Sequence, residues 1–434
     1  MDKMADVLGR AGAWCGQNKY LSAIKNAFQN FMPLTIAGAI GVLWCNVLVN
    51  ETTGLGMFFK PIMALDFLNP AFQAVNFCTI SCITVGITLG IAQEIGVWNM
   101  GAERAGYIPG LVGLAAWLSV TNTSHMVDGA KEAFTGIAGN ELGATGLFTG
   151  MIIGVLSVEL FCFFEKQDAL KIKMPEQVPP GVARAFEVLV PATITLIITA
   201  CIGSACYNLT GLYLNDVIKN GIQGPLGAVG ATVPGVMIIY LVIMLFWLVG
   251  IHGNNMLSAV KEALFTPLAL ENVEAFNKGE TPKNIINMYF LQMCGEFGGS
   301  GVTIGLVIAI IIFGKREDNK AIASLSLVPG LFNINETVTF GIPMVLNPIL
   351  GIPFVFACLV TILVGYVLTV IGFCPVACLT VPWTTPPIVF GFLACGANVM
   401  GAVTQAILIV VSTVIYTPFL IAYEKYQNKQ AAEA

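Results

Sequence analysis

A single carboxylate, Glu336, lies in an otherwise uncharged part of the sequence. The nearest formal charges are Lys320 before it and Glu424 after it. A carboxylate at the centre of a membrane helix costs about 2.5 to 3.5 kcal/mol on insertion scales, so it normally faces a cavity or a polar partner. Glu336 therefore predicts a general base or a hydrogen-bond acceptor for a polar substrate. Alternatively, a hairpin ends at the membrane interface here, and the acid is simply hydrated.

His252 is the second residue that could do chemistry. It is one of only two histidines and lies in the segment GIHGNNM, with no Lys, Arg, Asp or Glu from Asn220 to Val260. Imidazole changes its charge near neutral pH and can donate or accept a proton. A lone histidine beside an apolar helix is more often structural, but the pairing with Glu336 favours function. We predict that both residues are catalytic and contact the substrate.

Further polar and aromatic groups would complete a binding site. Trp383, held between prolines in VPWTTPP, offers a flat face that could stack on the C–H side of a sugar ring, and Thr384 adds a hydroxyl. The alternative for Trp383 is a position in the aromatic belt at the membrane interface. Asn254 and Asn335 carry amides that both donate and accept hydrogen bonds. This set suits a neutral polyol and fits an anion poorly.

No pattern points to a metal or a cofactor, and we expect neither. The twelve cysteines form no CxxC and are accompanied by only two histidines, so we interpret them as small apolar residues within helices and not as a metal site or a disulfide framework. The glycine run EFGGSG, Glu296 to Gly301, lacks the Lys-Ser/Thr of a phosphate-binding loop. No basic patch for nucleic acid appears either.

Composition indicates the elements that must position these residues. Of the 434 residues, 56% are hydrophobic and 10% are charged, whereas a soluble domain carries about a quarter charged residues. Residues 1–30 lack the apolar core of a cleavable signal and instead predict an interfacial helix that leads into the first span. We predict an all-α, polytopic helical membrane protein of about eight to ten spans with re-entrant hairpins. The first six candidate spans are Phe31 to Val49, Phe72 to Ala92, Gly106 to Thr121, Ala144 to Phe164, Phe186 to Tyr207 and Ala231 to Ile251.

The distribution of basic residues predicts the orientation. Segments with several cations are expected in the cytoplasm and contain Lys3, Arg10, Lys19, Lys25, Lys166, Lys171, Lys173 and Arg184. Segments with one lysine each are expected outside and contain Lys60, Lys131 and Lys219. Both termini are therefore expected to be cytoplasmic. Cations also precede and follow the apolar stretch Ile285 to Phe313, and if both clusters are cytoplasmic this stretch cannot be a single crossing. The clusters are Lys261, Lys278 and Lys283 before it and Lys315, Arg316 and Lys320 after it.

The second half of the chain is predicted to be broken. The glycine run at 296–301, the polar stretch Leu327 to Glu336 and the four prolines within Cys374 to Gly396 all interrupt helices. Such backbone survives at membrane depth only where protein or a water-filled cavity satisfies it, and it commonly forms transporter binding sites. We therefore predict a scaffold domain over residues 1–215 and a substrate-binding transport domain over residues 216–434.

Several blocks, in this order, resemble the enzyme IIC component of the bacterial sugar phosphotransferase system, of the lactose, cellobiose and diacetylchitobiose type. The resemblance runs from about Leu21 to Tyr423. The blocks are KYLSAIKNAFQNFMPLTIAGAI, GIHGNN, GGSGVTIGLVIAI, NINETVTFGIPMVLNPILGIPF and VPWTTPP. The family motif usually has proline after the glutamate, where this chain has Thr337, so its substrate preference could differ.

The resemblance implies group translocation. The chain would bind a β-linked disaccharide of the cellobiose, lactose or chitobiose class, carry it inward, and present it to the phosphorylated cysteine of a separate IIB protein. His252 and Glu336 match the family's histidine and glutamate at the sugar, with Glu336 as base. No IIA or IIB domain is expected after Tyr423, so IIB, with IIA, HPr and enzyme I upstream, would be separate. The resemblance further implies a homodimer joined through first-half helices in the bacterial inner membrane.

Two alternatives belong to other classes. A proton-coupled secondary sugar transporter would use Glu336 as a proton carrier, but it would be expected to contain a chain of intramembrane acids, and here only Glu296 is a distant second. A membrane enzyme acting on lipids would need a metal cluster or a paired nucleophile and base. Whether the chain counts as an enzyme stays open, because it would take part in phosphorylation only together with IIB.

Overall fold

The structure is a computed structural model that describes residues 10, 13–14, 17–51, 55–125, 133–175, 177–342, 344–345 and 347–433. Lys3 and Lys131 of the orientation argument lie outside these residues. Nearly all regular structure in the described ranges is helical. The α-helices are α1 Lys19–Leu43, α2 Asn69–Asn76, α3 Ile83–Met100, α4 Ala102–Ala105, α5 Ile108–Val120, α6 Gly139–Leu142, α7 Ala144–Glu165, α8 Pro180–Thr210, α9 Leu214–Ile218, α10 Gly224–Gly230, α11 Val233–Leu248, α12 Gly253–Met256, α13 Ser258–Asn277, α14 Met288–Gly295, α15 Ile304–Phe313, α16 Glu317–Leu331, α17 Glu336–Gly341, α18 Gly351–Val370, α19 Val389–Ala394 and α20 Val399–Glu433.

Short irregular elements connect these helices. Three π-helical turns cover Trp44–Leu48, Phe77–Ser81 and Lys219–Gln223, and 3-10 turns cover Leu55–Met57, Lys60–Leu68, Asp168–Leu170 and Ser300–Val302. The two strands in the described residues, β1 Ser124–His125 and β2 Phe134–Thr135, pair antiparallel in one small hairpin.

The helices confirm the predicted class, a polytopic helical membrane protein. In the described part of the chain, five helices are long and apolar enough to cross a bilayer, or up to seven if each of two bent pairs is one span. α5 and α11 are shorter apolar helices. The break predicted at the glycine run is also confirmed, because the helical pieces Met288–Val302 and Ile304–Phe313 are bent by 59° at this point.

The second predicted span, Phe72 to Ala92, is placed wrongly. The helix α3 begins at Ile83 and continues to Met100, while the preceding helical segment ends at Ser81 with a bend of 42°. Polar residues in the last turns of α3 led to the early stop in the prediction. In the structure Asn26 donates to Glu94 at 2.9 Å, and Gln93 donates to the Gly106 carbonyl at 2.5 Å, so helical neighbours satisfy these side chains.

The chain divides into two compact units. Gln17–Gly38 and Ala74–Gly227 form what we call the N-terminal unit, and the C-terminal unit includes Ala39–Gln73 and Ala228–Ala434. The functional division near residue 215 stays a prediction. In the N-terminal unit, α3, α5, α7 and α8 pack together around a fully buried Trp117. A Cβ atom at Gly113 would collide with Ala92, so glycine lets α5 lie close to α3.

The C-terminal unit carries the broken helices. The long helix α20 packs against α15, α18 and α19. Its Glu424 accepts hydrogen bonds from the backbone N–H groups of Lys315 at 2.8 Å and Arg316 at 3.3 Å. These N–H groups lie at the turn between α15 and α16, so one buried carboxylate fixes this hairpin to α20. Tyr416 of α20 donates to the Gly301 carbonyl at 2.8 Å and holds the glycine run in the same way.

Candidate functional site

His252 and Glu336 lie next to each other, although their positions in the sequence are far apart. His252 Nε2 is 3.9 Å from Glu336 Oε1, and the two side chains are 37% and 49% exposed. This separation is too long for a direct hydrogen bond. A hydroxyl oxygen between the two atoms could be at hydrogen-bonding distance from both. The pair could therefore bind one hydroxyl group of a ligand through a donor and an acceptor at the same time.

The histidine has a defined orientation and tautomer. His252 caps α12, and its Nδ1 accepts a hydrogen bond from the Asn255 backbone N–H at 3.2 Å. In the neutral ring the proton is therefore on Nε2, which faces Glu336. Trp247 packs against the ring, with 4.4 Å between centroids. His252 lies in the loop between α11 and α12, where burial lowers its pKa while the nearby Glu336 charge opposes this shift. The site thus offers a ligand hydroxyl one donor and one acceptor.

Ser300 of the glycine run connects the two asparagines that the sequence singled out. Asn254 donates to Ser300 Oγ at 3.0 Å, and Asn335 donates to the Ser300 carbonyl at 2.7 Å. A Cβ atom at Gly299, whose φ is +89°, would overlap the Asn335 side chain. Asn335 is buried, so in this conformation it supports the loop of Glu336. Its predicted contact with substrate, and that of Asn254, stay predictions.

Asn333 brings the VPWTTPP segment to the same loop. Its amide donates to the Trp383 carbonyl at 2.5 Å and to the Thr385 carbonyl at 3.1 Å, while its Oδ1 accepts from the Gly298 N–H at 2.6 Å. Asn333 has a φ of +62°, a left-handed conformation that asparagine tolerates better than most residues. The Trp383 side chain is 44% exposed, and Thr384 is half-buried.

Ser300 and Asn333 were not predicted from the sequence as residues that form the site. Both were visible only as members of segments expected to be irregular, the glycine run and the polar stretch before Glu336. A polar side chain inside such a segment signals that backbone groups of another segment need partners. That signal does not say which segment the partner belongs to, so the connections to Asn254 and Trp383 required the structure.

A buried ion pair lies at the start of the glycine run. Lys261 of α13 pairs with Glu296, and Tyr240 of α11 donates to the same carboxylate oxygen at 2.7 Å. All three side chains are largely shielded from water. Lys261 lies buried inside α13, where a paired carboxylate stabilises a lysine, and its position on the cytoplasmic side stays a prediction. Two helices thus hold the residue that precedes the glycine run.

Replacing Lys261 with methionine is expected to destabilise the protein by about 3 to 5 kcal/mol, because Glu296 would remain as a buried charge without its cation. Thermal unfolding of the purified protein in detergent measures this loss. The double variant Lys261→Met with Glu296→Met removes both charges and is expected to recover much of the stability. A double variant as unstable as Lys261→Met alone would contradict the role of the ion pair.

No group of three or more His, Cys, Asp or Glu side chains suited to a metal ion occurs among the residues that the structure describes.

This chain is similar to known proteins over nearly its whole length. The family model described as "Phosphotransferase system, EIIC" matches residues 25–358. The oligo-beta-mannoside-specific EIIC component of Bacillus subtilis (strain 168) is 33% identical over 98% of this chain and 94% of its own length. The cellobiose-specific EIIC component of Lactococcus lactis subsp. lactis (strain IL1403) is 29% identical over 98% of both chains. The crystal structure of ChbC, the IIC component of the N,N'-diacetylchitobiose-specific phosphotransferase system, has a TM-score of 0.88 and 29% identity, covering 97% of both chains.

Proposed function

The chain belongs to the EIIC family of the phosphotransferase system, and we propose that it binds a β-linked disaccharide, carries it inward and presents it for phosphorylation by IIB. Components of this family are membrane proteins that work with a IIB partner on a sugar. The observation that carries the proposal is the gap of 3.9 Å between His252 Nε2 and Glu336 Oε1, which suits one sugar hydroxyl.

The proposed chemistry follows from the two side chains. Glu336 accepts the proton of the hydroxyl that attacks the phosphoryl group of IIB, and His252 Nε2–H fixes the oxygen of the same hydroxyl. Phosphoryl transfer depends chiefly on positioning and on charge stabilisation, so the small separation and the fixed imidazole are what the reaction needs from this chain. The phosphoryl group itself comes from IIB.

The proposed substrate class rests on the relatives and on the charge of the site. The names of the relatives described above specify oligo-beta-mannoside, cellobiose and N,N'-diacetylchitobiose, all of which are β-linked sugars. A site with one carboxylate, one neutral imidazole, amides and an indole favours a neutral sugar over an anion.

Equilibrium binding to the purified protein tests this substrate class. Cellobiose, lactose, mannobiose with a β-linkage and N,N'-diacetylchitobiose would compete against one another, with α-linked maltose as the matched control. We expect at least one of the β-linked sugars to bind about tenfold more tightly than maltose, a difference of about 1.4 kcal/mol. Equal affinity for maltose and for all four β-linked sugars would contradict the proposed class.

Replacing Trp383 with alanine is expected to weaken sugar binding about two- to twelvefold, because stacking contributes about 0.5 to 1.5 kcal/mol. Trp383→Phe retains an aromatic face and is expected to lose less affinity. Titration of the variants with the sugar that the wild type prefers measures the effect. Equal losses in the phenylalanine and alanine variants would argue against stacking, while Thr384→Val tests the neighbouring hydroxyl separately.

We further propose how the chain is oriented in the membrane and how it assembles. Both termini lie in the cytoplasm, residues 1–215 form a scaffold, and residues 216–434 form the transport domain. The protein is a homodimer joined through helices of its first half. The distribution of basic residues in the sequence supports the topology, and the family resemblance supports the dimer.

A further inference from the structure

The segment that carries Trp383 begins and ends at a cysteine. We call residues Cys374–Cys395 the Trp383 loop. Its two arms lie side by side, because the backbone N–H groups of Cys378 and Leu379 both donate to the Ala394 carbonyl, at 2.8 and 3.1 Å. The arms are thus already joined before any covalent bond forms between them.

The two terminal thiols are in contact. Cys374 Sγ lies 3.9 Å from Cys395 Sγ, and Cys395 Sγ lies 3.8 Å from the sulfur of Met293. Both cysteines are almost completely buried, at 2% and 4% exposure. Among the cysteines that the structure describes, no other two thiols have a hydrogen-bonding contact with each other. This contact between two thiols distinguishes Cys374 and Cys395 from the small apolar residues within helices that the sequence predicts.

The tip and the end of the Trp383 loop are held to other segments. Asn333 binds the carbonyls of Trp383 and Thr385. Gln405 of α20 accepts from the N–H groups of Ile388 and Gly391 at 2.8 and 2.7 Å and donates to the Met293 carbonyl at 3.1 Å. A shift at the base of the loop would therefore act against fixed contacts at its tip.

We propose that Cys374 and Cys395 are a modification site, a thiol pair that a two-electron oxidant converts to a disulfide closing the Trp383 loop. Two S–H bonds break and one S–S bond forms. The oxidant takes up two electrons and two protons, and with diamide its N=N bond is reduced to a hydrazine. The sulfur atoms must approach from 3.9 Å to about 2.05 Å, and the hydrogen bonds of Cys378 and Leu379 to the Ala394 carbonyl hold the two arms beside each other.

The disulfide is expected to weaken sugar binding at least threefold, and this part rests on the proposed function. Drawing the arms together pulls on the segment between them. The hydrogen bonds from Asn333 to the Trp383 and Thr385 carbonyls would have to shift with it, which displaces the Trp383 and Thr384 side chains. Dithiothreitol would reduce the bond again and restore the affinity, so the pair would act as a reversible redox control of the site.

The test treats the full-length protein in proteoliposomes with diamide. Peptide mass spectrometry under non-reducing conditions then measures the linkage between the Cys374 and Cys395 peptides. Equilibrium titration with the preferred disaccharide measures affinity before and after oxidation, and after dithiothreitol. Binding is measured without IIB because the reactive cysteine of IIB would also be oxidised.

Three variants keep the test decisive. Cys374→Ser and Cys395→Ser are each expected to abolish both the linkage and the loss of affinity on oxidation. Cys378→Ser, a buried cysteine of the same loop, is expected to retain both. A loop without the Cys374–Cys395 linkage, under conditions in which diamide fully oxidises glutathione added to the same sample, would overturn the proposal. A linkage that forms with unchanged sugar affinity would overturn the control of binding, and a protein that binds no disaccharide in its reduced form would instead refute the proposed function.

Discussion

Replacing Glu336 with glutamine is expected to abolish sugar phosphorylation while leaving sugar affinity within about tenfold of the wild type. The amide can still hydrogen-bond to a sugar hydroxyl, but it is a poor base. General base catalysis typically contributes about a hundred- to ten-thousandfold, and the loss of phosphosugar formation should fall in this range. Because Glu336 is half exposed, the substitution leaves no buried charge unpaired, and the fold should tolerate it.

Two measurements on the same preparation separate the roles of Glu336. Equilibrium binding of the disaccharide reports affinity, and phosphosugar formation with phosphorylated IIB reports the chemical step. Glu317→Gln makes the same carboxylate-to-amide change at an exposed position of α16 and should leave both quantities unchanged. Wild-type phosphosugar formation in Glu336→Gln would remove the base assignment.

Replacing His252 with alanine is expected to weaken sugar binding itself. A sugar hydroxyl or its partner would be left unpaired at a cost of about 1 to 3 kcal/mol, which corresponds to about five- to 150-fold in the dissociation constant. Phosphorylation would fall as well, but saturating sugar should restore part of it. The measurement is a binding titration accompanied by phosphorylation rates over a range of sugar concentrations.

A second variant distinguishes the ligand contact from the helix cap. His252 Nδ1 caps α12 through the Asn255 N–H, and asparagine is also a good N-cap residue. His252→Asn should therefore keep the thermal stability of the wild type but lose sugar affinity as His252→Ala does. If His252→Asn bound sugar with wild-type affinity, His252 would be a structural residue.

The pH dependence of sugar affinity is expected to follow the protonation of His252. Burial lowers the pKa of His252 below its ordinary value of about 6.5, so the ring is neutral at pH 7. The stabilising cap on α12 is fully present above the ordinary value and is lost as the pH falls through the lowered pKa of the folded state. Sugar affinity should accordingly be constant from pH 7 to 8 and should decrease on acidification below about 6.5. An affinity that stayed constant on acidification would contradict this account of His252.

The sequence could predict the class of fold and the two central residues because both depend on local composition. Low charge and long apolar runs are enough to predict a polytopic helical membrane protein. An isolated carboxylate or imidazole in such runs is costly to bury, so it indicates a functional site. The structure brings Glu336 and His252 together, but their catalytic roles stay predictions. The break at the glycine run could also be predicted from the sequence, since its glycines adopt positive φ values that other residues rarely reach.

The supporting contacts could not be predicted for a physical reason. Asn333 and Ser300 act through backbone groups of distant segments, and a backbone carbonyl carries no sequence signal. Lys261 lies in α13 and Glu296 directly follows α14, and only the packing of α13 against α14 brings them into contact. Helix ends were missed where polar residues, such as Glu94, find partners inside the bundle and let the helix continue.

Sugar uptake into liposomes tests the central claim most directly. The protein would be reconstituted with a labelled β-linked disaccharide outside, with and without phosphorylated IIB inside, and with and without a proton gradient. The account predicts that phosphosugar accumulates inside only when IIB is present, whether or not a gradient is applied. Free disaccharide accumulating against its concentration gradient with the proton gradient alone would contradict the account and would make Glu336 a proton carrier.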